Sequence, residues 1–548
     1  MKSFRILIAL FAALLTLTLS LPAQSAETFT ITKLSVYDSR SGEGGAEISS
    51  YHKATKQVYI TNGRLNRIEI VSIKDPSSPT LVNSVDMTQF GDNITSVAAG
   101  KSVVAVAVHQ SAAFAADGTP TLRNGNLVVL TPAGKIIRAI DLGGVQPDSV
   151  SFTPDGLTAL VAIEGEPVCA KNNPDTPADE SLDYAFAKDP QGAVAIVDLR
   201  KPKSATVRLV NFSKFTAEGL KQKGLVMSLT SKQADLDLEP EYISAASDSI
   251  AYVTLQEANA IAEIDLKKAK VLQIFSAGTT DVASTAFDLS DRDSLAGPAT
   301  YPNVMALAMP DAIATFTSGK DTFAVTANEG DDRADWTCFK AVDDKRAKDL
   351  KVDTTVFTDW DAIKVDAKLG RAKVNPNIGD NNGDGLLEKI YLLSNRSFSI
   401  FKNGQRIYDS GNLLEQLQID ALGLANINGE WNLTSGAYSA QSRSDDKGPE
   451  AEGVAVGSVG KSRIAVVGLE RMSALLFLDI TKPAKPVVIK WEQMLPLSTI
   501  VPGSEGLTWS PEGLVFVDAK DSPNGKPLVI TSYEVSGTLS IHQIESKK

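Results

Sequence analysis

Glu239-Pro240-Glu241-Tyr242-Ile243, Ala251-Tyr252-Val253-Thr254-Leu255-Gln256-Glu257, Ala260-Ile261-Ala262-Glu263-Ile264-Asp265-Leu266 and the run 271–275 read as four consecutive β-strands. Each is a short apolar run rich in β-branched residues and bounded by turn formers. The unit has a plan. Its first strand follows an acidic or amide residue. Its second is strongly apolar and ends in Asn, Gln, His or Glu. Its third ends in Asp beside Leu or Ile, and its fourth is more polar. The same plan fits residues 47–85, 93–140, 148–210, 311–408 (with a long interruption) and 452–489. The last unit, 505–544, supplies three strands, and residues 29–36 near the N-terminus supply the missing one. The expectation is an all-β, seven-bladed β-propeller closed by N- and C-terminal strands, which removes exposed sheet edges. A β-sandwich pair gives no reason for repeated acidic strand ends, and a β-helix normally has a shorter, more even period.

The units are unevenly spaced, and a blade needs only about 40–45 residues. The surplus falls in insertions at about 168–190, 277–304, 332–395 and 411–447. Long loops on a rigid scaffold often carry function, so these are expected over one mouth of the channel. Otherwise residues 27–548 read as one domain, with a weak helical candidate at 412–424.

An acidic phrase recurs where strands run into Gly or Pro turns: Glu164-Gly165-Glu166-Pro167, Glu239-Pro240-Glu241, Asn328-Glu329-Gly330-Asp331, Pro449-Glu450-Ala451-Glu452-Gly453 and Ser504-Glu505-Gly506. Single acids stand at Glu47, Glu470 and Glu534. In a radial array these carboxylates converge. Converging carboxylates repel unless cations hold them, so Glu164, Glu166, Glu241, Glu329, Asp331, Glu452, Glu470, Glu505 and Glu534 are candidate metal ligands. Some strand-end acids in any propeller only bind backbone amides. Arg333 and Arg471 follow acidic phrases and are candidate catalytic residues for a phosphate-like anion. The plainer reading is that each neutralises its neighbours.

The strongest local motif is Asp380-Asn381-Asn382-Gly383-Asp384-Gly385-Leu386-Leu387-Glu388. Alternate oxygen-bearing residues in a tight Gly loop aim at one point and suit calcium. The expected ligands are Asp380, Asn382, Asp384 and Glu388 by side chain and Leu386 by its carbonyl. Tyr391 stands where an EF-hand needs its bidentate acid. The three histidines, His52, His109 and His542, share no zinc spacing. No nucleophile elbow or phosphate loop is present.

Met1-Lys2-Ser3-Phe4-Arg5, an apolar run over 6–21 and Pro22-Ala23-Gln24-Ser25-Ala26 read as a signal peptide, 1–26, so the chain is expected to be exported to the periplasm or beyond. No later segment reads as a membrane span. The net charge is −12, and losing Lys2 and Arg5 makes it −14, which excludes nucleic acid as a partner class. Cys169 and Cys338, the two cysteines, are disulfide candidates, with a thiolate metal ligand as the alternative.

Several stretches then carry a resemblance. They include Asp237-Leu238-Glu239-Pro240-Glu241-Tyr242, Asp288-Leu289-Ser290-Asp291-Arg292-Asp293, Met309-Pro310-Asp311-Ala312-Ile313, Thr326-Ala327-Asn328-Glu329-Gly330-Asp331 and Asp521-Ser522-Pro523-Asn524-Gly525-Lys526-Pro527. Through them nearly the whole exported chain resembles the choice-of-anchor I family of secreted proteins, itself similar to a mesenchyme-specific cell-surface glycoprotein. The resemblance implies a propeller and an alkaline-phosphatase-like label. Two functions stay open. One is a metal-dependent phosphoesterase acting on a phosphorylated small molecule through calcium and a second metal, iron or another. The other is a non-catalytic, calcium-stabilised monomer that binds a surface, glycan, mineral or protein ligand.

Overall fold

The computed structural model describes residues 28–116, 118–169, 188–228, 233–334 and 343–547. The leader expected at 1–26, Cys338 and most of the insertion 168–190 lie outside them.

Seven four-stranded antiparallel sheets follow one another along the chain. Blade 1 covers residues 49–86, blade 2 covers 93–141, blade 3 covers 147–211 and blade 4 covers 240–276. Blade 5 covers 313–409 and blade 6 covers 451–493. Blade 7 joins three strands within 511–547 to Thr28–Asp38, which pairs along Thr538–Lys547. The first strand of each blade touches the first strand of the next, and that of blade 7 touches that of blade 1. The chain is therefore a β-propeller, closed by strands from both termini as expected. The last blade begins at Pro511, later than the expected Glu505.

The apolar patterning follows from this geometry. Middle strands such as Val104–His109 and Ala193–Asp198 are covered by neighbouring blades on both faces, so they read as continuous apolar runs. Each buried Val or Ile there contributes about 1.5–3 kcal/mol by leaving water. Outer strands such as Thr80–Asp86 are mostly exposed and polar, which blunts their edges.

Short polar bonds stitch the inner strands into a ring. Ala99 N–H donates to Ser50 Oγ (2.9 Å), Val150 N–H to Ser96 Oγ (3.1 Å) and Ser149 Oγ to the Glu241 carbonyl (2.6 Å). Gly513 N–H donates to the Glu47 carbonyl (3.2 Å) and joins blade 7 to blade 1. A Cβ at Gly453 would sit 2.0 Å from the Glu512 carbonyl, so only glycine lets blades 6 and 7 approach there.

The insertions 277–304 and 332–395 are not separate loops. They build one five-stranded sheet, in the spatial order Thr279–Asp281, Val304–Leu307, Ile390–Leu392, Lys373–Asn375, Lys345–Arg346. It has its own core, including Phe287, Phe357, Trp360, Leu369 and Ile390. The insertion 411–447 carries the helix Leu413–Leu422, where the sequence offered a helical candidate.

Candidate carboxylate channel

A repeated irregularity positions the acids. The ladder between first and second strands slips after Pro147, Pro240, Ala451 and Pro511, in blades 3, 4, 6 and 7. A β-bulge leaves residues unpaired and re-aims their side chains. Each of these bulges holds two residues, and the first of them is acidic: Asp148, Glu241, Glu452 and Glu512. Blade 5 adds Asp311, just before its first strand. These five acids line one cavity of about 190 Å3, together with Ile48, Ser96 and Tyr242. It lies beside a wider funnel of about 730 Å3, which opens among the hairpin turns at the opposite end.

Burial comes first among the influences on these five carboxyls, and neighbouring acids add to it. Asp148 is pushed up to about 7 by burial and Glu166. Glu241, Asp311, Glu452 and Glu512 are raised well above the carboxylate range. Asp148, Glu241, Glu452 and Glu512 keep some accessibility because they face the cavity, yet protein encloses the site.

Nearer the mouth lies a second tier, with Glu329 and Glu470 at the ends of second strands and Glu450 just before the first strand of blade 6. There, carboxylate oxygens of Glu329, Glu450 and Glu470 fall within 4.8 Å of one another. Protein cations already engage them. Arg443 bonds Glu450 Oε1 (2.6 Å), and Arg471 bonds Glu450 Oε2 (2.9 Å) and reaches Glu470 (3.0 Å). Lys447 donates to Glu329 Oε1 (3.0 Å) and lies 3.6 Å from Asp331. Burial pushes the Glu450 carboxyl up, but Arg443, Lys447 and Arg471 outweigh it and hold the group at about 2. Glu470 has only part of that help, and burial and Glu450 raise it to about 8. Beside blade 3, Gln146 Nε2 donates to both Glu164 (2.8 Å) and Glu166 (2.6 Å). Glu534 stands near Glu47, where burial and Glu534 push Glu47 up to about 8. Glu239 is 2% exposed, and burial with Glu257 raises it strongly.

Three expected roles change. Glu505 lies at the surface, 3.6 Å from Arg40, and does not join the channel. Its phrase precedes the strand, and Glu512 fills the channel position. Arg333 is 1% exposed and paired with Asp343 (3.1 Å) and Asp237 (4.0 Å), so it holds the start of an insertion and does not line an open site. Cys169 is disulfide-bonded, which removes it as a thiolate ligand. Asp148, Asp311, Glu512, Glu257, Arg443 and Lys447 are the functional candidates that the acidic phrases did not reveal. The recurrent pairs Pro147-Asp148, Pro240-Glu241, Pro310-Asp311 and Pro511-Glu512 are the signal that finds most of the deeper ones.

The loop 380–388 is exposed except at its end and leads into Ile390–Leu392. Asp380, Asp384 and Glu388 bring carboxylate oxygens within 4.8 Å. Gly383 and Gly385 N–H groups donate to Asp380 (2.6 and 2.9 Å) and Leu386 N–H to Asp384 (2.8 Å). Asn382 Nδ2 donates to Glu388 (2.6 Å). The glycines take positive φ (80° and 86°), which lets the loop curl around one point. The histidines stay apart, on blades 1, 2 and 7.

Among the described residues no helix is long and apolar enough to cross a membrane. The chain is similar to Gigasin-3a of Magallana gigas, 29% identical over 196 residues, which is 33% of this chain and 67% of that protein. Among solved structures it is similar to Kuenenia stuttgartiensis hydrazine synthase, with 11% identity and a TM-score of 0.42 over 91% of this chain and 95% of that one. It is also similar to the Myceliophteria thermophila Cps50 (Swd1) β-propeller domain, with 10% identity and a TM-score of 0.42 over 94% and 99%. The choice-of-anchor I domain profile matches residues 47–483, most of the chain, and the chain belongs to that family.

Proposed function

We propose that this protein is an exported, surface-associated propeller that binds calcium and works by holding a surface ligand, not by cleaving phosphoesters. The observation that carries this reading is the ion-pair network at the mouth. A phosphoesterase needs an open metal with a cation aimed at developing phosphoryl charge. Here Arg471 is committed to Glu450 and Glu470, and Arg333 to Asp343. The Glu329–Glu450–Glu470 cluster is engaged by Arg443, Arg471 and Lys447. The 380–388 loop supports the calcium part, because its three carboxylates and curled backbone suit an oxygen-loving ion.

The phosphoesterase reading keeps one observation on its side: three cations converge on one carboxylate cluster, and ion pairs can open for a phosphate. The two readings separate in a simple assay. The leaderless protein, supplied with calcium, is expected to hydrolyse neither a generic phosphomonoester nor a phosphodiester above background. Turnover that disappears with chelation, returns with metal and is lost in Glu329→Gln would overturn the binding reading.

A further inference from the structure

We propose that Asp148, Glu241, Asp311, Glu452 and Glu512 form a calcium site inside the propeller channel, one step deeper than the mouth. This deepens the calcium reading above and is separable from the loop at 380–388.

Five consecutive blades, 3 to 7, each send one carboxylate to the same cavity of about 190 Å3. Among the described residues no hydrogen bond or ion pair reaches any of the five carboxylates, and the charge of Lys447 acts on Asp311 only from beyond ion-pair distance. Asp311 is only 8% exposed, and one oxygen each of Glu452 and Glu512 is buried without a partner. The mouth behaves differently. There Glu450 takes two arginines, Glu329 takes a lysine and Glu470 takes an arginine and Ser510. The chain pairs its mouth carboxylates directly with cations and leaves those of the ring without a direct ion-pair partner among the described residues. Leaving even one enclosed carboxylate uncompensated costs several kcal/mol. A fold that aims five of them at one space by repeated bulges needs something positive there.

The chemistry selects the ion. All five side chains offer hard oxygens, which excludes soft-metal preferences; no three of them bring oxygens within 4.8 Å of one another, so water completes the bridges to the ion. Calcium takes six to eight oxygens in irregular geometry, whereas magnesium demands a tight octahedron. A cavity of about 190 Å3 also has room for waters, each about 30 Å3 in the liquid, to complete the shell. Protons are the competing occupant, since burial favours the neutral acids.

Calcium stoichiometry decides between them. Equilibrium dialysis with radioactive calcium would compare the leaderless chain, Glu452→Gln/Glu512→Gln and the loop variant Asp380→Asn/Asp384→Asn. The ring variant is expected to lose at least one bound calcium per chain, or to bind it more than tenfold more weakly. The loop variant keeps that ion. If the ring holds protons instead, the ring variant binds as much calcium as the parent, and the proposal fails. Loss of calcium in the loop variant alone would contradict this site and leave the loop reading intact. Should the double variant misfold, Asp311→Asn serves with the same readout. Terbium gives an independent check, because Tyr242 lines the cavity and can sensitise its emission. Emission that survives Tyr242→Phe unchanged would place the ion elsewhere.

Discussion

Stripped of calcium, the protein is expected to lose stability steadily as pH rises from about 5 to about 8, with a fall in melting temperature on the order of 10 °C. The sign follows from the channel acids. Burial and Glu534 raise Glu47 to about 8, burial and Asp331 raise Glu257 to about 8, and burial and Glu166 raise Asp148 to about 7. In the unfolded chain such groups ionise near about 4.3. Between those limits the folded state holds more protons than the unfolded state, so stability drops as pH climbs. Below that window both states are protonated and the penalty vanishes. Glu450 works in the opposite sense, since it stays ionised down to about 2 and its contribution is lost only in acid. Saturating calcium should reduce the slope, because the ion replaces the protons on Asp148 and the other ring acids, while Glu47 and Glu257 keep theirs. Calorimetry across this range, with chelator and with calcium, checks it. A chelated protein that grows more stable toward pH 8 would show that the acids are compensated in some other way.

Replacing Arg396 by alanine is expected to cost about 3–5 kcal/mol, the scale for stranding a buried charge. Arg396 is 2% exposed and precedes the blade 5 strand Ser397–Lys402. Its guanidinium binds Glu415 Oε1 (2.5 Å), the Ser444 carbonyl (2.6 Å), the Asp446 carbonyl (2.9 Å) and the Asp288 carbonyl. Glu415 lies on the inserted helix, and Asp288 lies between the first two strands of the inserted sheet. One side chain thus pins several inserted segments to the propeller. Without it Glu415 keeps Asn428 (2.7 Å) and the Asp288 N–H (3.1 Å) but loses its cation. Urea unfolding should show the loss, and limited proteolysis should cut first within 411–447. The double change Arg396→Met/Glu415→Leu should recover part of the loss, since it removes both charges. A single Arg396→Ala variant as stable as the parent would mean that the inserted segments hold on without this pin.

The fold was legible because blades repeat. Runs such as Val104–His109 and Ala260–Asp265 announce strands one by one, and the missing last strand pointed to the N-terminal segment. The mouth was partly legible, through Glu164, Glu329 and Glu470. The ring was half visible: Glu241 and Glu452 fall within acidic phrases, while Asp148, Asp311 and Glu512 stand beside single prolines. Their convergence depends on bulges, and a bulge is a property of strand pairing that local sequence does not display. Glu505 misled because Ser504-Glu505-Gly506 resembles a mouth phrase but precedes its strand. The partners of Arg333 were invisible for a related reason. Asp237 is distant in sequence and meets it only through the insertion. Arg443 and Lys447 come from an insertion whose path no repeat predicts.

The most direct measurement is metal analysis of residues 27–548 purified without chelator, paired with the melting temperature before and after calcium removal. Bound calcium at one or more ions per chain, with a melting temperature that falls on chelation and returns on adding calcium back, is the predicted result. A chain that carries no calcium and melts identically with chelator and with calcium would contradict the account.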